Sequence, residues 1–553
     1  MRSTTSSRTR RVAPAILCLM VAAAASACGG GGSDDDGGAS TAVTTGSELT
    51  TSVTMPGGGA PVDGGKLIYG IEAETSGFNP YLDRFAPAGQ LMALAVYDPL
   101  AAFDAEGVAK AYLAESITTD DGGSLWTIQL RPDVTFHDGS VLDAEALATH
   151  LERLKESFLT QSAVRPIDGV TVTGPLTVTV SMTTPWVTFP VALVGQAGVV
   201  PAPGVPEEQL SDAPVGTGPF SIGTRVRDES TSMVKNNAYW QAGLPHLDEV
   251  VFRPLQSVED RGAAFRSGEI DMFHTTNEIV NAQLLGQAQA GELQYVRDTG
   301  EQEELFVMFN TAAPPFDDVR LRRAASYAID VDKFLEVSGQ GFSERAEGPF
   351  SPSSPWYADV EFPTGDPAQA EALVAEVEAE TGPVTVELNC ADSRDSLELC
   401  QQLADDWAVV GIDASIVGLQ QDLLINYSIA GKYESVLWRQ FGSPDPDGDQ
   451  QWWIGPIEGQ TSLNFSRIAD PELDAALEAG RSTDDVAARK EAYTTVQERF
   501  ADQAPYAFLE RIGWVIIADN DVRDFQNQAL PDGTASAPYV NGIHRVGYIW
   551  IDR

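Results

Sequence analysis

The chain has 553 residues, more than one hydrophobic core usually serves, so two or more lobes are expected. Hydrophobic residues at 43% and charged residues at 21% describe a folded composition rather than a disordered one. Asp and Glu number 80 against 35 Lys and Arg, and the resulting net charge of −45 excludes nucleic acid as a partner, because nothing here neutralises phosphates; long-range attraction to an anionic membrane surface is excluded with it.

Residues 1–28 read as an address. Arg2, Arg8, Arg10 and Arg11 form a basic start, and 12–27 is apolar but short of the roughly 20 residues that span a bilayer. The run Ala25-Ser26-Ala27-Cys28-Gly29 sets small residues against a cysteine and resembles a lipobox, with alanine at 25 where leucine is commoner. Lipidation of Cys28 is expected; the alternative is cleavage after Ala27 to give a secreted product. Residues 29–65 are dominated by Gly, Ser, Thr and Asp with no periodic pattern, a flexible linker with an end-to-end distance of roughly 35 Å. A lipid on Cys28 would hold the folded body near the outer face of the cell membrane without embedding it. Of the remaining cysteines, Cys18 falls in the signal segment, which leaves Cys390 and Cys400. Outside the cytoplasm two such residues tend to pair, and a loop this short gains about 3 kcal/mol or less.

The body begins with a short strand at 66–71, followed by a loop, EAETSGFNP, carrying Glu72, Glu74 and Thr75. WTIQL alternates like a strand, HDGS is a turn, and Asp143 opens a helix. His137 in that turn has no second ligand at metal spacing and reads as structural. Strands follow at 170–173 and 177–181. The PVGTGPF run at 214–220 lacks the GK[ST] of a phosphate loop and reads as a tight bend. At 305–309 the run LFVMF is a buried strand; Pro314 and Pro315 end any ladder, and Asp317 or Asp318 caps the helix that follows. Beyond 330, a helix at 367–380, a strand at 384–388, a helix at 397–410 and a strand at 414–417 form an alternating unit, with Gly411 as a helix stop. A strand at 436–438, helices at 471–480 and 484–503, and a second buried strand over 506–518 complete the body.

Several of these stretches, in this order, carry a resemblance: WTIQLRPDVTFHDGSVLDAEAL, PVGTGPF, NAYW with PHLDEVVF, and FNTAAPPFDDVRLRRAASYAID. They resemble the extracytoplasmic solute-binding proteins of family 5, the peptide, nickel and oligosaccharide receptors of ABC importers. The resemblance implies an α/β, periplasmic-binding-protein-like fold of the cluster C type (type II), with two lobes, an extra subdomain and a two-crossing hinge. Lobe 1 would span 66–304 with the subdomain at about 101–184, lobe 2 would span 305–507, and 508–553 would return to lobe 1. The crossings are expected near 303–305 and 507–509. The implied function is capture of a solute, most often a short peptide, and its delivery to ABC permease and ATPase subunits. No catalysis and no cofactor are implied, and the protein would act as a monomer.

The cleft residues carried over are Glu72, Glu74 and Thr75 from lobe 1, with Phe306, Met308, Trp438, Arg439, Phe441 and Asp445 from lobe 2. Peptide-binding members read W..D..DPD here, and the acid three residues before DPD holds the ligand ammonium. In this chain Asp445-Pro446-Asp447 fits the end of the pattern, but Gly442 stands where that acid belongs. Glu74 or Asp445 would then supply the charge, and Arg439 suits a ligand carboxylate. The alternatives are a non-peptide solute (an oligosaccharide, an opine-like compound or a metal chelate) and a sensor or chaperone on the same fold. Asp445, Asp447 and Asp449 alternate like a calcium loop, but Pro456 falls where the twelfth-position Glu belongs. The five histidines are scattered, and no metalloprotease or serine-hydrolase motif is present.

Overall fold

The structure is a computed structural model. It describes residues 52–54, 59–119, 121–298, 303–340, 342–456, 462–526, 528–537 and 539–553. The expected signal segment with Cys28, and most of the expected linker, lie outside the described residues.

Strand Lys66–Ile71 lies near the middle of a seven-stranded sheet because both of its faces are apolar enough to be covered. It runs parallel to Glu249–Pro254 and Met272–Thr275; beyond the latter, Val515–Ala518 and Gln294–Arg297 complete that side with antiparallel pairings. A six-stranded sheet is built around Glu303–Phe309, which pairs antiparallel with Ser435–Gln440 and Tyr506–Ile512. Its outer part is the alternating unit anticipated at 384–417: strands Thr385–Ala391 and Asp413–Leu419 run parallel, joined by helix Arg394–Val409. Cys390 and Cys400 are disulfide-bonded between that strand and helix, with a Cα–Cα distance of 6.7 Å. A separate four-stranded sheet contains Ala114–Thr119, Leu125–Leu130, Ile167–Gly174 and Thr177–Met182, and packs its own core with helix Ala144–Glu156.

Local chemistry sets the element boundaries. The Asp143 carboxylate accepts from the Ala146 N–H, and the Asp318 carboxylate from the Arg320 N–H, so each caps its helix. His137 ties its turn to the PVGTGPF bend: its ring accepts from the Gly216 N–H at 3.3 Å and donates to the Gly218 carbonyl at 3.0 Å. A Cβ at Gly218 would collide with the Val96 backbone, which explains glycine at that bend.

The chain crosses between the large sheets twice. The first crossing joins Gln294–Arg297 to Glu303–Phe309. The second is Gly513 and Trp514 alone, between Tyr506–Ile512 and Val515–Ala518. The sequence suggested one strand over 506–518 and a crossing near 507–509. Instead, Tyr506 to Ile512 stays paired along Glu303–Phe309, with a bulge at Leu305 and Phe306, before the chain changes sheets.

Gly513 lies against the Arg297 guanidinium, which donates two hydrogen bonds of 2.8 Å to the buried Glu278 carboxylate. A Cβ at 513 would collide with that guanidinium. The Gly513→Ala variant is therefore expected to lose about 1–3 kcal/mol of stability, the usual cost of overpacking a filled site. Urea denaturation checks this, and an unchanged midpoint would show that the pair yields without cost.

Candidate functional site

A cleft of roughly 1480 Å³, lined from both lobes, is larger than the roughly 300–1,000 Å³ typical of small-molecule pockets. The loop after Lys66–Ile71 forms one wall. There the Glu72 backbone N–H donates to His274 Nε2 at 3.1 Å, which holds the loop against strand Met272–Thr275. Thr75 Oγ1 bonds the Gly77 carbonyl at 2.8 Å and shapes the turn, while Glu74 is paired with Arg225 at 2.9 Å. Glu72, Glu74 and Thr75 all line the cleft.

The opposite wall is strand Ser435–Gln440 and the segment after it. Trp438 is half-buried with its ring edge-on to Phe465, centroids 5.5 Å apart, and Trp438, Arg439 and Phe441 line the cleft. Arg439 Nε donates to Glu303 Oε2 at 2.8 Å. Glu303 is fully buried; burial pushes its carboxyl above the usual range, and the Arg439 charge pulls it back.

The other three carried-over residues lie elsewhere. Phe306 and Met308 point into the core on one side of the six-stranded sheet, where Phe306 stacks on Tyr506 at 4.2 Å, while Leu305, Val307 and Phe309 fill the core on the other. Of this strand, Glu303 and Leu305 at its start reach the cleft, and Phe306 and Met308 do not. Asp445 caps the turn at Pro446–Gly448 and receives two hydrogen bonds from Arg489, at 2.7 and 2.9 Å. Burial raises its carboxyl above the usual range, and the Arg489 charge takes up the demand a ligand ammonium would have met. Gly442 lines the cleft, its carbonyl accepting from Asn541 Nδ2 at 2.9 Å.

The calcium-like spacing dissolves into separate contacts. Asp447 accepts from Trp186 Nε1 at 2.5 Å, Thr188 Oγ1 at 2.6 Å and Arg481 Nε at 2.8 Å, and Asp449 accepts from the Ser443 N–H. Among the described residues no group of three or more His, Cys, Asp or Glu could hold a metal ion.

Several charged cleft residues carried no sequence signal. Arg261, Glu510, His544 and Arg545 line the wall, and Glu303 joins them at the start of its strand. Only Glu303 was detectable, as a carboxylate at the edge of an otherwise apolar strand. Arg261 donates to the carbonyls of Leu255 and Gln256, at 2.5 and 3.1 Å, and has no ion-pair partner among the described residues. His544 is buried beside Tyr69, and burial depresses its pKa to about 4.

The sequence model of bacterial extracellular solute-binding proteins, family 5 Middle, matches residues 109–459. The glutathione-binding protein GsiB of Pectobacterium atrosepticum is 25% identical over 456 residues, covering 80% of this chain and 88% of that protein. The GsiB of Escherichia coli K12 is 25% identical over 454 residues with the same coverage. Among solved structures, a dipeptide-binding protein from Pseudoalteromonas sp. SM9913 in complex with Met-Leu superposes with a TM-score of 0.77 at 21% identity, covering 88% of this chain and all (100%) of that one. AgaA of A. tumefaciens R10 in complex with agropinic acid gives a TM-score of 0.77 at 21% identity, over 88% and 99% of the two chains. NikZ of Campylobacter jejuni in complex with Ni(L-His) gives 0.71 at 19% identity, over 87% and 97%. At these identities the three structures speak for the shared fold.

The Asp447 cluster joins the two sides of the molecule away from the crossings. Arg481 lies 4.6 Å over the Trp186 ring and donates its Nη2 to Asp447 at 2.6 Å, with both side chains of the pair under 5% exposed. Removing one partner strands the other as a buried charge. Asp447→Ala is expected to cost about 3–5 kcal/mol in chemical denaturation, and a loss within error of zero would show that water reaches Arg481.

Proposed function

The chain belongs to the bacterial extracellular solute-binding proteins of family 5, and from that premise we propose that it is the receptor of an ABC importer that captures a short peptide in its cleft and delivers it to a membrane permease. The family is one of solute-binding proteins rather than enzymes, and catalysis is not part of this reading. The observation that carries it is the cleft itself, roughly 1480 Å³ and walled from both lobes. A ligand bridging two lobes stabilises whichever arrangement gives it more contacts, and that differential binding is the work such a receptor does.

Glu72, Glu74, Thr75, Trp438, Arg439 and Phe441 are the wall residues we assign to the ligand. Trp438 and Phe441 offer apolar surface for side chains, and the charged groups orient the ends. The absence of an acid at Gly442 favours a second reading, a non-peptide solute, since an ammonium in a dry cleft needs a nearby negative charge. We further assign the protein to the outer face of the cell membrane, held by a lipid on Cys28 through the 29–65 linker, acting as a monomer with permease and ATPase subunits. Among the described residues no helix is long and apolar enough to cross a membrane.

Mass spectrometry of the small molecules released when the purified protein is denatured tests the proposal. A mixture of short peptides is the expected result. A single non-peptide compound would replace it with the second reading, and a protein that releases nothing and is not stabilised by any peptide pool would contradict it.

A further inference from the structure

The four-stranded sheet and its helix belong to the seven-stranded side of the molecule: the chain reaches them from helix Pro87–Val96 and leaves them for strand Phe220–Val226 of the seven-stranded sheet. Residues 183–188, which follow strand Thr177–Met182, nevertheless lie against the other side. They are held firmly from behind. Trp186 is 1% exposed in the core of the four-stranded body; its backbone N–H donates to the Gly123 carbonyl, and its carbonyl accepts from Trp126 Nε1, both at 3.0 Å.

In front, the segment meets Asp447 and the end of helix Pro471–Arg481, both between strands Ser435–Gln440 and Tyr506–Ile512 of the six-stranded sheet. A helix leaves its last four carbonyls without intrahelical partners, and here the Arg481 carbonyl accepts from the Val187 N–H at 2.8 Å. Ser482 Oγ donates to the Pro185 carbonyl at 3.2 Å, and Arg165 Nη2 to Glu478 at 2.5 Å. The two Asp447 oxygens divide their work. Oδ1 is held by Arg481 of its own side, while Oδ2 accepts from Trp186 and Thr188 across the gap. If the sides part, Asp447 and Arg481 travel together and no buried charge is stranded. The ion pair that does span the gap, Arg165 with Glu478, has side chains 21% and 32% exposed, so water is at hand for both. The contact is one layer thick: Trp186, Asp447 and Arg481 line the cleft on its inner side, and a groove of roughly 510 Å³ lined by Arg165, Thr183, Glu478 and Ser482 runs along its outer side.

We propose that this contact is a clasp, made when the two sides approach and broken when they part. Its hydrogen bonds favour the closed arrangement whatever the cleft encloses, so Trp186 and Thr188 are positioning residues that raise affinity without touching the solute. What opening gives up is a set of hydrogen bonds that water replaces, two of them to a carboxylate, and that cost is moderate. The effect on affinity rests on the solute-receptor reading. The opening itself is a property of the protein alone.

Hydrogen–deuterium exchange of the full protein, resolved to single amides by mass spectrometry, tests this, because the acceptor of the Val187 N–H lies across the gap. Val187 is expected to exchange at least about tenfold faster than the amides of strand Thr177–Met182, which open only with the four-stranded sheet. Thr188→Val should quicken Val187 a further tenfold or so and leave that strand unchanged. Glu478→Ala, on the far side of the gap, should quicken it by about twofold or more, which fraying of residues 183–188 alone would not produce; if Thr188→Val does not fold, Glu478→Ala decides. Exchange of Val187 in step with the strand, or at a rate neither variant alters, overturns the clasp. A pool of tryptic casein peptides in excess should slow Val187. Exchange that responds to the variants but not to the pool leaves the clasp standing and counts against the peptide-receptor reading, whereas a pool that binds while Val187 keeps the strand's rate upholds that reading and removes the clasp.

Discussion

The buried pair of Arg297 and Glu278, under the two-residue crossing at Gly513 and Trp514, is the constraint the rest of the molecule depends on. Two charges taken out of water are costly, and here the cost is offset because the two terminal guanidinium nitrogens each donate to one carboxylate oxygen at 2.8 Å. Glycine at 513 lets the chain pass directly over that guanidinium. The ends of the two large sheets are thereby brought close together. Glu72 and His274 on one side, and Glu303 and Arg439 on the other, then meet around the Trp514 ring.

A second buried ionic cluster, of a different kind, lies away from the crossings. Asp447 gathers donors from Trp186, Thr188 and Arg481, and the Val187 N–H bonds the Arg481 carbonyl at 2.8 Å. The cleft is therefore bordered by buried ionic contacts at the hinge and at Asp447. Saturated clusters of this kind fix the geometry of the cleft.

Much of this was legible in the sequence, for reasons that differ by residue. The alternating unit at 384–417 shows because helix and strand periods contrast and Gly411 marks the stop. The strand at 305–309 shows because an uninterrupted apolar run is what a doubly covered strand requires. That same property hid which side chains face the cleft: Phe306 and Met308 read no differently from wall residues, and both are in the core. The apolar run 506–518 read as one strand because nothing local separates a crossing glycine from a strand glycine. Asp445 sits in a recognisable motif, but its partner, Arg489, lies in a helix whose approach only the tertiary structure reveals. Arg261 and Arg545 reach the cleft from segments with no local pattern that marks them.

The central claim is that a solute bridges the two lobes and favours their approach, and small-angle X-ray scattering of the protein with and without its saturating ligand measures this most directly. The account predicts a smaller radius of gyration in the liganded state, with a profile that returns to the unliganded one when ligand is removed. Stoichiometric binding with an unchanged radius of gyration would contradict it, since a ligand held without differential contacts leaves the equilibrium between arrangements where it was.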